Sequence, residues 1–339
     1  MILEGPVQAH GFSWRKRALL RQFTQRDDIH FLNSGEPIAV GVDLLLWGGA
    51  AVPRGVDLTA NRIIRVEDGF LRSIGLGADL VRPMSWVLDM TGIYFDSSRP
   101  CDLENLLENT DFGDNELKRA SEFRHRLVTN EVSKYNLAGV PWRRPSDPRL
   151  VVLVVGQVES DASIAYGSSE IKTNLGLLKA VREARPDALL VYKPHPDVVA
   201  GLRASGTGDL EAPRWADFVL PDASPSQLLT QVDEVHVMTS LLGFEALLRD
   251  VKVICYGQPF YAGWGLTQDL HPISRRTRRL TLDALVAGSL LQYPTYLSST
   301  TNLLCTPEEA LEELITKKER SGVDTPWWRR AIRPLIAQK

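Results

Sequence analysis

The chain has 339 residues, 44% hydrophobic and 24% charged, with 39 Lys+Arg against 42 Asp+Glu and a net charge of -3. At roughly 100–200 residues per domain this is material for two domains of similar size, and the composition excludes disorder, collagen-like structure and coiled coil. The acidic balance argues against a dedicated nucleic-acid binder, so an anionic ligand has to be met locally.

Short apolar runs broken by Gly, Asp or Pro alternate with helix-like stretches, the pattern of parallel strands joined by helices. The basic stretch Trp14–Phe23 mixes Arg and Lys with Trp and aliphatics, as interfacial helices do; packing on its own domain with the basic face in water is the plainer reading. Strands are predicted over Ile29–Leu32, Asp43–Trp47, Ile63–Val66 and Trp86–Leu88. The segment Ala138–Pro148, rich in Pro, Gly and charge, sets a boundary and hinge between a first domain, residues 1–145, and a second, 146–317. There, strands are predicted over Leu150–Val155, Ala188–Tyr192, Glu234–Val237 and Val251–Tyr256, with helices near Ile171–Glu183, Leu241–Leu248 and Thr306–Lys317. Arg275–Arg279 reads as a solvated loop and Trp327–Arg333 as a second basic stretch. Cys101, Cys255 and Cys305 fit neither a disulfide framework nor a zinc knuckle, which points to a reducing compartment. Met1–Phe12 does not read as a signal peptide, and no apolar run reaches the roughly 18–20 residues that span a bilayer. A cytoplasmic location is expected, and no internal repeat is found.

Ligands of open α/β sheets bind beyond the carboxyl ends of strands, so the residues just after each predicted strand are the candidates. In Arg65-Val66-Glu67-Asp68-Gly69-Phe70-Leu71-Arg72-Ser73, adjacent carboxylates raise one another's pKa and can leave one protonated near neutrality, which suits general acid/base work. An acidic turn paired with Arg65 or Arg72 would look the same. Gly156-Gln157-Val158-Glu159-Ser160-Asp161-Ala162-Ser163 follows the strongest strand. A carboxylate there can act as nucleophile, base or stabiliser of an oxocarbenium-like centre, or Asp161 can simply cap a helix. Glu159 and Asp161 have the spacing of an acidic metal pair, without a third ligand nearby. In Tyr192-Lys193-Pro194-His195-Pro196 the imidazole sits between two prolines beside an ammonium, an arrangement for a phosphate oxygen or a structural histidine. Thr239 and Ser240 open a helix whose N–H groups and hydroxyls suit a phosphate or serve as an ordinary cap; Glu245 falls outside the spacing of a capping box. The loop Gly257–Thr267, rich in Gly and aromatics, reads as a sugar-stacking lid or a packed turn.

Taken in order, Glu67-Asp68-Gly69-Phe70-Leu71-Arg72-Ser73, Gln157–Ser163, Lys193-Pro194-His195-Pro196, Thr239-Ser240 with Glu245, and Pro259-Phe260-Tyr261-Ala262-Gly263-Trp264-Gly265 resemble the capsule polysaccharide β-Kdo glycosyltransferase family of the KpsC/LipA type. The resemblance runs from about residue 60 to 275, with a weaker echo at Gln292–Tyr296 and Cys305–Glu308. It implies an α/β GT-B fold, two Rossmann-like domains facing a central cleft. Residues 1–145 would face the acceptor, with a C-terminal helix over 318–339 packed back on them, and 146–317 would hold the CMP-sugar donor. The implied activity is retaining transfer of Kdo from CMP-β-Kdo to a lyso-phospholipid-linked glycolipid in capsule linker synthesis, with the acceptor either bare or Kdo-primed and the linkage either 2→4 or 2→7.

The resemblance further implies double displacement through an adduct on Asp161, with Glu67 as acid/base and Asp68 as a second candidate. His195, Ser240 and Glu245 would hold the CMP phosphate and ribose, with Thr239 beside them, while charge and placement put Gln157, Lys193 and Arg72 near the Kdo carboxylate. No metal or other cofactor is expected, because Lys193, His195 and a helix N-terminus can neutralise the phosphate. The expected partners are CMP-Kdo, the lipid-linked acceptor, capsule assembly proteins and an inner-membrane surface contacted peripherally, with no nucleic acid. KpsC-like chains carry two such modules in tandem, whereas this chain carries one set of motifs. Two competing readings are another GT-B-like enzyme using a UDP-sugar, as transferase or epimerase, and a non-catalytic module that binds a glycolipid or nucleotide sugar. The carboxylates speak against the second, since a binding site for an anionic sugar gains nothing from added negative charge.

Overall fold

A computed structural model describes residues 3, 5–33, 35–75, 81–134, 136, 139–202, 206, 208 and 211–320. In chain order its strands are β1 (Val7–His10), β2 (Ile29–Phe31), β3 (Asp43–Trp47), β4 (Arg62–Asp68), β5 (Ser85–Asp89), β6 (Val151–Val155), β7 (Leu189–Lys193), β8 (Phe218–Val219), β9 (Glu234–Val237), β10 (Lys252–Cys255), β11 (Gln268–Asp269), β12 (Thr295–Leu297) and β13 (Leu304–Cys305). They form two sheets, ordered β13-β12-β5-β4-β3-β1-β2 and β11-β10-β9-β6-β7-β8.

The second sheet is parallel throughout, and β6 and β7 are buried along their whole length, as strands covered on both faces must be. Alternation divides their side chains between two layers. Val152, Val154, Leu190 and Tyr192 pack with Leu177, Leu178 and Val181 of the helix Asn174–Ala184. Val151, Leu153 and Val155 face a larger core that also takes in Phe70, Phe123, Phe244 and Trp264. That core reaches residues of both sheets' connections, including the helix Asp114–Thr129. On the other face of the first sheet, Leu20 and Phe23 of the helix Trp14–Thr24 pack with Val7, Ala9, Trp86 and Leu297.

The first sheet departs from the expected run of parallel strands. β1 to β4 are parallel, but β5 runs antiparallel to β4. The free edge of β5 is then covered by β12, with Thr295 opposite Trp86 and Tyr296 opposite Ser85, so an edge that would expose unpaired backbone groups is closed. Residues 295–305, which the sequence division puts in the second unit, therefore complete the first sheet. The helix Pro307–Arg320 follows onto the same side: Glu308 pairs with Arg119 at 2.7 Å, and Lys318 Nζ donates to the Asn130 carbonyl at 2.8 Å. The remainder of the stretch expected at 318–339, and the basic residues Trp327–Arg333, lie outside the described residues.

The Pro-rich boundary segment is fastened to the second unit. Val140 N–H donates to the Asp222 carbonyl at 2.7 Å, the Trp142 ring meets Phe218 edge-on at 5.6 Å, and Arg144 pairs with Asp233 at 2.7 Å. Each sheet has a point where strand order reverses, between β1 and β3 in the first and between β6 and β9 in the second. Crevices beyond the carboxyl ends of strands at such points are where open sheets hold ligands.

Candidate active site

A cavity of about 520 Å³ opens beyond the strand ends of both sheets, and every residue expected at the site lines it: Glu67, Asp68, Arg72, Gln157, Asp161, Lys193, His195, Thr239, Ser240 and Glu245. The first-sheet wall is the end of β4. Glu67 Oε1 accepts the Asp68 N–H at 2.9 Å. Removal from water and the adjacent Asp68 charge push the Glu67 carboxyl up to about 7. Space for that carboxylate depends on Gly48, whose φ of +54° favours glycine and where a Cβ would stand 2.7 Å from Glu67 Oε2. Asp68 is held on both oxygens, by Arg72 Nε at 2.6 Å and by the Trp86 indole N–H at 3.1 Å. Arg72 is thus committed to Asp68 and to Ser73 Oγ, at 3.0 Å, as well as facing the cavity.

The second-sheet wall is built from the loops after β6, β7 and β9. Gln157 and Thr239 tie the two strand ends at the reversal point together. The Gln157 amide donates to Thr239 Oγ1 at 3.0 Å, and its oxygen accepts the Thr239 N–H at 2.9 Å. Asp161 is exposed and caps the helix Ala162–Gly167, its Oδ1 accepting the Ser163 N–H at 2.8 Å. His195 Nδ1 accepts the Asp197 N–H at 3.1 Å, which puts the proton of the neutral ring on Nε2. Lys193 is buried and donates to the Pro221 carbonyl at 2.6 Å; burial pulls its ammonium down to about 8. Ser240 caps the helix Leu241–Leu247 through Leu242 N–H at 3.3 Å, and its hydroxyl keeps a proton to donate. Glu245, on that helix, accepts the Lys134 N–H at 2.8 Å, and burial pushes its carboxyl up.

Contacts between side chains and loops join the walls. Phe70, from the loop after β4, stacks on Phe260 with ring centroids 4.2 Å apart. Ser97 Oγ donates to the Tyr166 carbonyl at 3.0 Å and meets Gln258 Oε1 at 2.9 Å. Arg276 is buried between Glu104, at 2.8 Å, and the carbonyls of Pro259 and Ala262, at 2.7 and 2.6 Å. The run Arg275–Arg279 is therefore no solvated loop: Arg275 also pairs with Glu104, and Arg278 Nη1 donates to the Thr110 carbonyl. The loop from Pro259 is a packed turn, since Tyr261 and Trp264 are fully buried; Phe260 alone of its aromatics faces the cavity. Lys16, Trp47, Tyr94 and Lys134 also line the cavity and were not among the expected site residues. Lys16 lies in the basic stretch read as interfacial, and a strand-terminal Trp47 carries no local signal of a site.

No helix among the described residues is long and apolar enough to cross a membrane. The model of the family described as "Capsule polysaccharide biosynthesis protein" matches residues 54–141 and 114–299. The capsule polysaccharide modification protein LipA of Neisseria meningitidis serogroup B is 44% identical over 325 residues, 93% of this chain and 46% of that protein. The lipopolysaccharide-processing protein LpsZ of Rhizobium meliloti is 43% identical over 259 residues, 75% of this chain and 59% of that protein. The chain thus spans about half the length of the curated relatives it matches. Among solved structures, Thermosulfurimonas dismutans KpsC described as a beta Kdo 2,7 transferase superposes with a TM-score of 0.76 at 36% identity, covering 93% of this chain and 100% of that one. The KpsC structure described as a beta Kdo 2,4 transferase gives 0.77 at 29% identity, covering 92% and 99%. With motifs, fold and relatives in agreement, the chain belongs to the capsule polysaccharide biosynthesis family of KpsC and LipA.

Proposed function

We propose that this chain is a retaining β-Kdo glycosyltransferase that moves Kdo from CMP-β-Kdo to a Kdo-primed glycolipid during capsule polysaccharide linker synthesis. The observation that carries the reading is the meeting of Glu67 and Asp68, from one sheet, with Asp161, His195 and Ser240, from the other, around one cavity. In GT-B terms the unit built on the first sheet takes the acceptor and the unit built on the second takes the CMP-sugar. Of the two linkages, the identity of 36% to the 2,7 transferase against 29% to the 2,4 transferase favours 2→7.

In the first step an Asp161 oxygen attacks the anomeric carbon, the bond to the CMP phosphate breaks, and CMP leaves toward His195 and the Ser240 hydroxyl. In the second, Glu67 takes the proton of the acceptor hydroxyl, whose oxygen displaces Asp161 from the opposite face. Two inversions return the β configuration. A carboxyl near 7 suits Glu67 to accept and then release that proton, while Asp68, clamped by Arg72 and Trp86, is a positioning group. Lys193 supplies positive charge beside the phosphate and His195 an Nε2–H donor, so transfer proceeds without a divalent cation. Trp14 is 74% exposed with Arg15 stacked over its ring, which supports peripheral contact with the inner-membrane surface that carries the acceptor.

The test is Asp161→Ala, assayed for Kdo transfer and, by calorimetry, for CMP and UDP binding with and without Mg²⁺. Loss of transfer with metal-independent CMP binding retained, and a wild-type Kdo adduct seen by intact mass, is the expected result. Transfer by the variant removes Asp161 from the chemistry, and preference for UDP overturns the donor.

A further inference from the structure

Lys16 lines the cavity but has no part in the steps above. It sits in the first turn of the helix after β1, and its Nζ lies 3.1 Å from the ring centroid of Trp47, the last residue of β3. β1 and β3 flank the order reversal of the first sheet, so the Lys16–Trp47 pair occupies the crevice where such sheets take ligands. The indole face orients the ammonium but offers no hydrogen-bond acceptor. Among the described residues Lys16 makes no hydrogen bond or ion pair. Of the neighbouring carboxylates, Asp68 has both oxygens taken by Arg72 and Trp86, while Glu67, whose Oε1 takes the Asp68 N–H, attracts the ammonium without pairing with it. Burial lowers the Lys16 pKa, and the attraction of Glu67 and Asp68 offsets this only in part. A half-buried ammonium in this condition is stabilised when a ligand brings an anion to it.

We propose that Lys16 receives a negatively charged group of the acceptor, a carboxylate or a phosphate, at the first-sheet wall of the cavity. The acceptor is the substrate concerned because Lys16 stands on the wall of Glu67, whereas the groups assigned to the donor phosphate, His195 and Ser240, come from the second sheet. The assignment to the acceptor rests on the transferase reading; the anion site itself does not.

The experiment uses the full chain and its Lys16→Met and Lys16→Arg variants, with CMP present. Each is titrated by calorimetry with octyl β-Kdo glycoside, its uncharged carboxamide, and octyl phosphate. The expected result is that one anionic probe binds the wild type, binds Lys16→Met about 10- to 100-fold more weakly, and recovers in Lys16→Arg. The carboxamide binds wild type and Lys16→Met alike, and CMP affinity stays within about twofold throughout, which reports an intact fold. Tight binding of the glycoside identifies a carboxylate site, and tight binding of octyl phosphate a phosphate site. An anionic probe held equally by wild type and Lys16→Met, or by neither, overturns the proposal. Lys16-dependent binding of the glycoside without Kdo transfer to it from CMP-β-Kdo would instead sink the transferase reading and leave the anion site standing.

Discussion

The Glu245 carboxylate accepts the Lys134 backbone N–H at 2.8 Å, fastening the helix that Ser240 begins to the loop whose Lys134 carbonyl accepts the Ser73 N–H at 3.2 Å. One side chain of the second sheet's connections thereby fixes a loop that also grips the first. Glu245→Ala leaves a partly buried N–H without its acceptor and is expected to lower unfolding free energy by about 1–2 kcal/mol. Glu245→Gln keeps an acceptor oxygen and should hold stability within about 1 kcal/mol. If the carboxylate charge also orients the ribose, Glu245→Gln weakens CMP binding about tenfold; urea denaturation and CMP calorimetry on the two variants separate these effects.

Glu67 has its carboxyl raised from 4.5 to about 7 in the folded chain, so the folded state holds that proton more tightly than the unfolded one. The associated stability is complete below about pH 4.5 and is lost as pH rises through 7. Because Glu67 borders an open cavity, the loss is discounted for solvent screening to about 1–2 kcal/mol. Glu67→Gln, which cannot ionise, should match wild type at pH 4 and exceed it by that amount at pH 8, with Kdo transfer abolished. Denaturation curves at the two pH values check the first point and a transfer assay the second; equal stability at pH 8 would contradict the pKa.

Arg276→Met should cost about 2–3 kcal/mol, since it leaves Glu104 with Arg275 alone and strands the carbonyls of Pro259 and Ala262. Arg276→Lys should recover little of this, because a single ammonium cannot reach the carboxylate and both carbonyls together. Thermal melting of both variants measures the loss.

Much of the site could be read from residues just after apolar runs. The runs at β4, β6, β7 and β9 locate strand ends without knowledge of the fold; Glu67 stands at the end of β4, and Asp161, His195 and Ser240 lie in the loops just beyond the other three. What those residues do to one another was less legible. Gln157 looks like a ligand-binding amide until Thr239, 82 positions on, takes both of its polar atoms. Arg276 looks solvated because its carboxylate partner is 172 positions away, and Lys16 looks like one more surface cation because nothing adjacent announces Trp47. The antiparallel turn of β5 and the return of the chain at β12 escaped for a related reason. A three-residue strand has no period to detect, and its partner is set by an open sheet edge rather than by its own sequence.

That return fixes an order of assembly. A nascent chain that has emerged only as far as the boundary segment holds β1 to β5 but not the strand that covers β5, so Trp86 and Ser85 stay on an open edge until residue 295 is made. Folding of the first sheet is thus completed after the whole second sheet has been synthesised. A fragment ending near residue 145 should accordingly aggregate or stay loosely packed, and cutting the gene at the domain boundary would not yield two soluble halves.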